Sequence, residues 1–180
     1  MRRCVPFLDS LTTGYLVELW CDVLVKKDAS GKANFTWRNE KQPLQERIVS
    51  TTSELPVPAG HSFRRFAWEI PYHLQVPKGY SVLITHPLNR FDLPFTSLSA
   101  VVDADEVMYS GSVPFFLRDD FEGIIEKGTP LYQVLPFKRE NWDSKENEDL
   151  IGKGQLNNQS SMAVLFGWYK RQVWKKKEYN

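Results

Sequence analysis

Hydrophobic and polar positions alternate in short bursts along most of this chain, and only the last stretch shows a longer period. Tyr15 to Val25 (YLVELWCDVLV) is aromatic and β-branched, which predicts a strand. Lys26 to Asn34 (KKDASGKAN) is a turn cluster with Gly31 near its centre, and a short strand follows at Phe35 to Arg38. That order is the grammar of a hairpin. Residues 39–60 are polar and proline-containing and predict a long excursion over the surface. From His61 to Arg139 the apolar segments shorten to Phe63–Ile70, Tyr80–Thr85, Ser97–Val102, Val113–Leu117, Phe121–Ile125 and Leu131–Phe137. Short strands with frequent turns predict a mainly β barrel or sandwich.

Nine of the eleven prolines fall between Pro56 and Pro136, within this strand-rich part. Proline has no ladder donor, so these residues are expected at strand starts, bulges or edges. Residues 140–160 (ENWDSKENEDLIGKGQLNNQ) are polar and acidic and read as a linker. Beyond it, Met162, Leu165, Phe166, Tyr169 and Val173 recur at three- and four-residue intervals behind a capping Ser160 or Ser161. This predicts an amphipathic helix over 161–180. Lys170, Arg171 and Lys175 to Lys177 lie toward the end of it, where they suit the helix dipole. The expected division is a β domain over 1–139, a linker over 140–160 and the terminal helix.

Composition narrows the function classes. Lys plus Arg is 23 and Asp plus Glu is 22 in 180 residues, a formal charge of +1. That balance argues against duplex nucleic acid as a partner, because such binding draws on an excess of phosphate-neutralising charge. With 42% hydrophobic and 13% aromatic residues the chain has enough apolar surface for a core. It contains no uninterrupted apolar run of about 18 residues, so no membrane span is expected. The start, Met-Arg-Arg-Cys-Val-Pro, lacks the apolar stretch of a signal peptide, so the expected location is cytoplasmic. Cys4 and Cys21 read as free thiols there, with a bridge between them as the alternative.

Two stretches concentrate polar chemistry. Ser99-Ala100-Val101-Val102-Asp103-Ala104-Asp105-Glu106 carries three carboxylates in four residues, either a cation site or a solvated turn. Continued strand alternation would put Asp103 and Asp105 on one face and Glu106 on the other. A second hairpin is expected to turn at Lys127-Gly128. His86, Asn89, Arg90 and Asp92 crowd between two strands, where they form either a self-contained loop or an anion site. The three histidines His61, His73 and His86 show no ligand spacing of the H-x-H or H-x-x-x-H kind, and no metal is expected. Arg64-Arg65 between Phe63 and Phe66 mixes charge with aromatics, as nucleic-acid binders do and as an ordinary alternating strand also does.

The order Val101-Val-Asp-Ala-Asp105, a glycine a few residues on, then Gly128-Thr-Pro-Leu-Tyr-Gln-Val-Leu135, resembles the trimeric dUTPase and dCTP deaminase superfamily. Thr13-Gly14-Tyr15-Leu16 and Val76-Pro-Lys-Gly-Tyr-Ser-Val-Leu-Ile84 resemble two further parts of it, so the likeness runs over about residues 10–137. The block Thr85-His-Pro-Leu-Asn-Arg-Phe-Asp-Leu-Pro-Phe95 is also similar to proteins encoded by tailed bacteriophages. The resemblance implies a β-clip fold of short strands, a homotrimer with sites between subunits, and a phage source. It makes Asp103 the water-activating base.

Key positions depart from that pattern. His86 to Phe95 stands where the family has its phosphate-binding Arg-Ser-Gly-x-Ala; Glu106 stands where a tyrosine packs under the sugar; Ala100 replaces the leading glycine of the hairpin. Losing those positioning groups removes most of the orientation that phosphate-ester hydrolysis needs. The expectation is a phage-type protein that binds a nucleotide or nucleotide-derived small molecule, sequestering a signal or altering nucleotide pools without hydrolysing dUTP. Its ligand set would be His86, Asn89, Arg90, Asp92, Ser99, Ala100, Val101, Val102, Asp105 and Glu106. No cofactor is expected, with Mg²⁺ entering only alongside a bound triphosphate. Two alternatives stay open: a structural or protein-interaction module that uses the fold as a scaffold, and an active hydrolase with Asp103 as base.

Overall fold

The computed structural model describes residues 5–47, 56–69, 71–106, 108–145, 154 and 168–178. The chain divides into two compact units, one of Gly14–Lys138 and one that joins Met1–Thr13 to Arg139–Asn180.

The described residues of the first unit form eleven short strands: β1 (Tyr15–Glu18), β2 (Val23–Lys27), β3 (Ala33–Trp37), β4 (Leu44–Arg47), β5 (His61–Trp68), β6 (Tyr80–Thr85), β7 (Phe95–Ser97), β8 (Ala100–Val102), β9 (Val113–Arg118), β10 (Gly123–Ile125) and β11 (Pro130–Lys138). They form three antiparallel sheets, ordered β1-β11-β6-β8, β10-β2-β3 and β4-β5-β9-β7. The mainly β class expected from the sequence holds.

Several differences from the expected strands have local causes. The apolar run Tyr15–Val25 breaks into β1 and β2, since Leu19 bonds instead to the Thr129 and Gly128 backbones and the chain passes from one sheet to another. The expected surface excursion contains β4, whose Leu44 is buried opposite Trp68 of β5; residues 48–55 of that stretch lie outside the described residues. Lys127-Gly128 does turn the chain, closed by the Thr129 amide donating to the Glu126 carbonyl at 3.1 Å. It does not make a hairpin, because β10 pairs with β2 and β11 with β1 and β6. The predicted hairpin of β2 and β3 is present over five residue pairs.

The prolines within strands, Pro114, Pro130 and Pro136, sit where one neighbouring strand is missing. Pro130 opens β11, and Pro136 lies beyond Val134, where the pairing with β1 has ended. Pro114 precedes the first β9 residue that meets β7, and its carbonyl accepts from the Leu98 amide at 2.8 Å. No ladder bond is lost at these points, which satisfies the donor argument.

Consecutive buried residues in β9 (Phe115, Phe116, Leu117) and β11 (Leu131 to Val134) show strands covered on both faces. Phe66, Trp68, Phe95, Phe115, Phe116 and Tyr132 are the buried aromatics of this core. Trp68 and Phe115 stack with ring centroids 3.9 Å apart, Phe95 meets Trp68 edge-on at 4.9 Å, and Phe66 leans on Phe115 at 5.6 Å. Gly14 approaches β11 so closely that a Cβ would stand 2.2 Å from the Val134 carbonyl oxygen, and its φ is +67°. A side chain would prevent β1 from docking.

The second unit holds α1 (Val5–Thr12), unforeseen in the sequence, and α2 (Trp168–Gln172). The terminal helix expected over 161–180 is present as α2; its first seven residues lie outside the described ones, and residues 174–178 have left the helix. The Trp174 indole N–H donates to the Asp9 carboxylate at 2.8 Å, and Lys177 pairs with the same group. Cys4 lies outside the described residues, and Cys21 is a buried free thiol. No helix among the described residues is long and apolar enough to cross a membrane.

Candidate functional site

The loop from His86 to Pro94 is braced from within. His86 Nδ1 accepts the Ser97 amide at 3.2 Å, so the proton sits on Nε2, which donates to the Arg90 carbonyl at 2.9 Å. Burial holds this imidazole below its ordinary pKa, and it is neutral near pH 7. The Arg90 amide donates to the Pro87 carbonyl at 3.1 Å, and Asn89 takes φ 61° inside that turn. Asparagine tolerates the left-handed region better than most side chains, which explains its place. From below, the fully buried Gln133 of β11 accepts the Leu88 amide at 2.9 Å.

His86 and Asn89 therefore shape the loop, and Arg90 carries its exposed chemistry. Its guanidinium makes two parallel 2.8 Å bonds to Asp92, whose carboxyl is held down to about 2 by that partner. The pair stands at the rim of an open pocket of about 500 Å³. Leu93 and Pro94 continue its lining. Phe121, Ile124 and the Glu126–Pro130 turn complete the lining, and the Lys127 backbone N–H donates to the Asp22 carboxylate at 2.8 Å.

The other candidate group is elsewhere. β8 ends at Val102, so the three carboxylates occupy a turn and the expected alternation of faces does not apply. Asp103 accepts the Ser81 hydroxyl at 2.6 Å and Asp105 accepts the Gly79 amide at 2.8 Å, so both reach the start of β6. Glu106 is exposed, and its amide closes the turn on the Asp103 carbonyl at 3.3 Å. At the other end of β6, the Ser99 and Thr85 hydroxyls meet at 2.9 Å. Ala100 and Val101 lie exposed on this edge strand and Val102 is half-buried. Asp103 and the His86 loop thus stand at opposite ends of β6, about 17 Å apart at some 3.3 Å per residue. Within one chain they do not form a single site.

No group of three or more His, Cys, Asp or Glu side chains among the described residues could hold a metal. His61 bonds the Ala59 carbonyl and the Thr96 hydroxyl through its two ring nitrogens. Burial and the neighbouring Asp22 push the Cys21 thiol up, which makes it a poor nucleophile near neutrality.

Four residues that brace or line these cavities carried no site reading in the sequence. Gln133 was visible as a lone amide in the apolar run Leu131-Tyr-Gln-Val-Leu135. Lys127, and the Trp20 and Trp37 that flank a neighbouring cavity, left no local signal, because only tertiary folding brings them near Arg90 or near each other. No family model matches the chain, and no curated protein matches it.

Proposed function

We propose that this protein binds a small nucleotide-like anion without hydrolysing it, in the pocket beside Arg90 and Lys127. The observation that carries the reading is that the Arg90–Asp92 pair and Lys127 line one pocket. An exposed ion pair contributes about 0–1 kcal/mol, so a ligand anion can take over the guanidinium at little cost. Arginine's planar fork suits phosphate through two parallel bonds. The absence of hydrolysis rests on Asp103, whose carboxylate is committed to Ser81 and whose position is far from this pocket. His86 then acts by holding the Arg90 backbone, and the homotrimer suggested by the family resemblance is an assembly state that light scattering tests.

A scaffold function has one observation in its favour: β8 is a sheet edge on which Val101 is 63% exposed, as suits a strand that pairs with another chain. The pocket gives the more specific chemistry and is preferred. Thermal-shift titration with millimolar pyrophosphate, nucleoside monophosphates and cyclic dinucleotides tests it by mass action. Stabilisation by the phosphate-bearing compounds, lost in Arg90→Ala and in Lys127→Ala, is the expected result. No shift with any of them, or a shift unchanged in Arg90→Ala, would refute it.

A further inference from the structure

A second cavity of about 660 Å³ opens against the β2–β3 hairpin, within the size range of small-molecule pockets, roughly 300–1,000 Å³. Trp20 and Trp37 line it, and both indoles also pack against the hydrophobic core, so they are fixed walls. Ile124 and Lys127 belong to this cavity and to the Arg90 pocket alike, which makes the two spaces neighbours across β10 and the turn that follows it. Ile124 is 58% exposed on that divide.

We infer that the tryptophan cavity is the subsite for a heteroaromatic ring, and that it receives the base of the same ligand whose anionic group lies at Arg90 and Lys127. The inference rests on the proposed function for the position of the anion, but the ring subsite has its own support. Indole walls favour a flat ring, because stacking combines apolar burial with quadrupole attraction. Arg38 adds a guanidinium to the lining, and guanidinium planes also stack on bases. Thr36 and Asn39 add a hydroxyl and an amide, which a nucleobase edge can use and a hydrocarbon ring cannot. Asn39 is already oriented, since its carbonyl oxygen accepts the Lys41 amide at 3.0 Å and its NH₂ group remains a donor. No residue of β8 or of the Asp103 turn lines this cavity, so a base held there would not be read by the β8 backbone.

Saturation-transfer NMR with nucleosides, which carry no phosphate, separates the ring subsite from the anion site; thermal shift with pyrophosphate reads the anion site alone. Expected is transfer to the base protons of at least one nucleoside with the wild-type protein. That transfer is lost in Trp37→Leu and reduced about tenfold in apparent affinity in Asn39→Ala, a surface change that leaves the fold intact. It persists in Arg90→Ala, which loses only the pyrophosphate response. If pyrophosphate stabilises the protein while no nucleoside receives saturation, the ring subsite is wrong and the anion reading stands. If nucleosides bind and pyrophosphate does not, the ring subsite stands alone. Equal transfer to cyclohexanol, or nucleoside transfer unaffected by both Trp37→Leu and Asn39→Ala, overturns the assignment.

Discussion

The Ser81 hydroxyl and the Asp103 carboxylate meet at 2.6 Å and join the first half of β6 to the turn that leaves β8. A bond to a charged acceptor is worth roughly 1.5–3 kcal/mol, so Asp103→Ala should destabilise the protein by about 2 kcal/mol in urea unfolding. Asp103→Asn keeps an acceptor oxygen and should cost less than about 1 kcal/mol. Neither change is expected to alter nucleotide turnover. Measurable dUTP hydrolysis that disappears in a well-folded Asp103→Asn protein would restore Asp103 as a catalytic base.

His86 makes the loop sensitive to acid. Its folded pKa lies below the ordinary histidine value because burial disfavours the charged ring. A depressed folded pKa means that the unfolded chain takes up the proton first. The stability contributed by His86 is thus present above about pH 6.5 and is lost as the pH falls through the folded value. His86→Ala removes the acceptor for Ser97 and the donor to Arg90, and should cost on the order of 1–3 kcal/mol. Melting curves between pH 5 and 7.5 should then show a flatter pH dependence in the variant than in the wild type.

How much could be read in advance differs between strand and site. The β class was legible because apolar segments of strand length are separated by turn residues, and Tyr80–Thr85 emerged with its boundaries unchanged. Pairing was legible in the β2–β3 hairpin but not at Lys127-Gly128, because nothing local distinguishes a turn within a hairpin from one that hands the chain from one sheet to another. The same limit applies to the site. The crowding of His86, Asn89, Arg90 and Asp92 was visible, but their division into bracing and exposed groups depends on Ser97 and Gln133, which arrive from other strands. The Asp103 turn illustrates the converse. Its carboxylates read in the sequence as either a cation site or a solvated turn, while Ser81 and Gly79 give Asp103 and Asp105 a bonding role.

Asp92 should compete with the proposed ligand. Its carboxyl is held down to about 2, so it remains charged at every working pH and occupies Arg90. Asp92→Asn frees the guanidinium and is expected to tighten pyrophosphate binding several-fold. Stability should change by less than about 1 kcal/mol, as for other exposed pairs. Calorimetric titration of the two proteins makes the comparison. Weaker binding in Asp92→Asn would show that the carboxylate takes part in recognition.

Gly14 should tolerate no side chain. Its φ of +67° already disfavours one, and a Cβ would stand 2.2 Å from the Val134 carbonyl oxygen, so β1 must shift away from β11. Gly14→Ala should cost on the order of 3 kcal/mol, combining left-handed strain with the clash. Hydrogen exchange should locate the damage: faster exchange along Tyr15–Glu18 and its partners in β11, with the β2–β3 hairpin still protected. A uniform rise across all sheets would instead mean that β1 is needed for the whole unit to fold.

Tyr132 offers a gain. It is fully buried on β11, and its hydroxyl has no hydrogen-bond partner among the described residues. Leaving such a group unsatisfied costs about 1–3 kcal/mol, and the phenylalanine ring fills the same space without it. Tyr132→Phe should therefore raise stability by about 1 kcal/mol, roughly 2–4 °C in Tm for a chain of this size. Burial pushes the Tyr132 phenol well above the ordinary tyrosine value, with Tyr109 and Tyr72 adding to the shift. A raised folded pKa means that the unfolded chain releases its proton first as the pH climbs past about 10. Stability is then full below that pH and declines above it. The variant lacks this proton, so its advantage over the wild type should widen between pH 9 and 11. A lower Tm for Tyr132→Phe at neutral pH would mean that the hydroxyl is bonded after all, and an unchanged difference across that pH range would mean that the phenol does not titrate on unfolding.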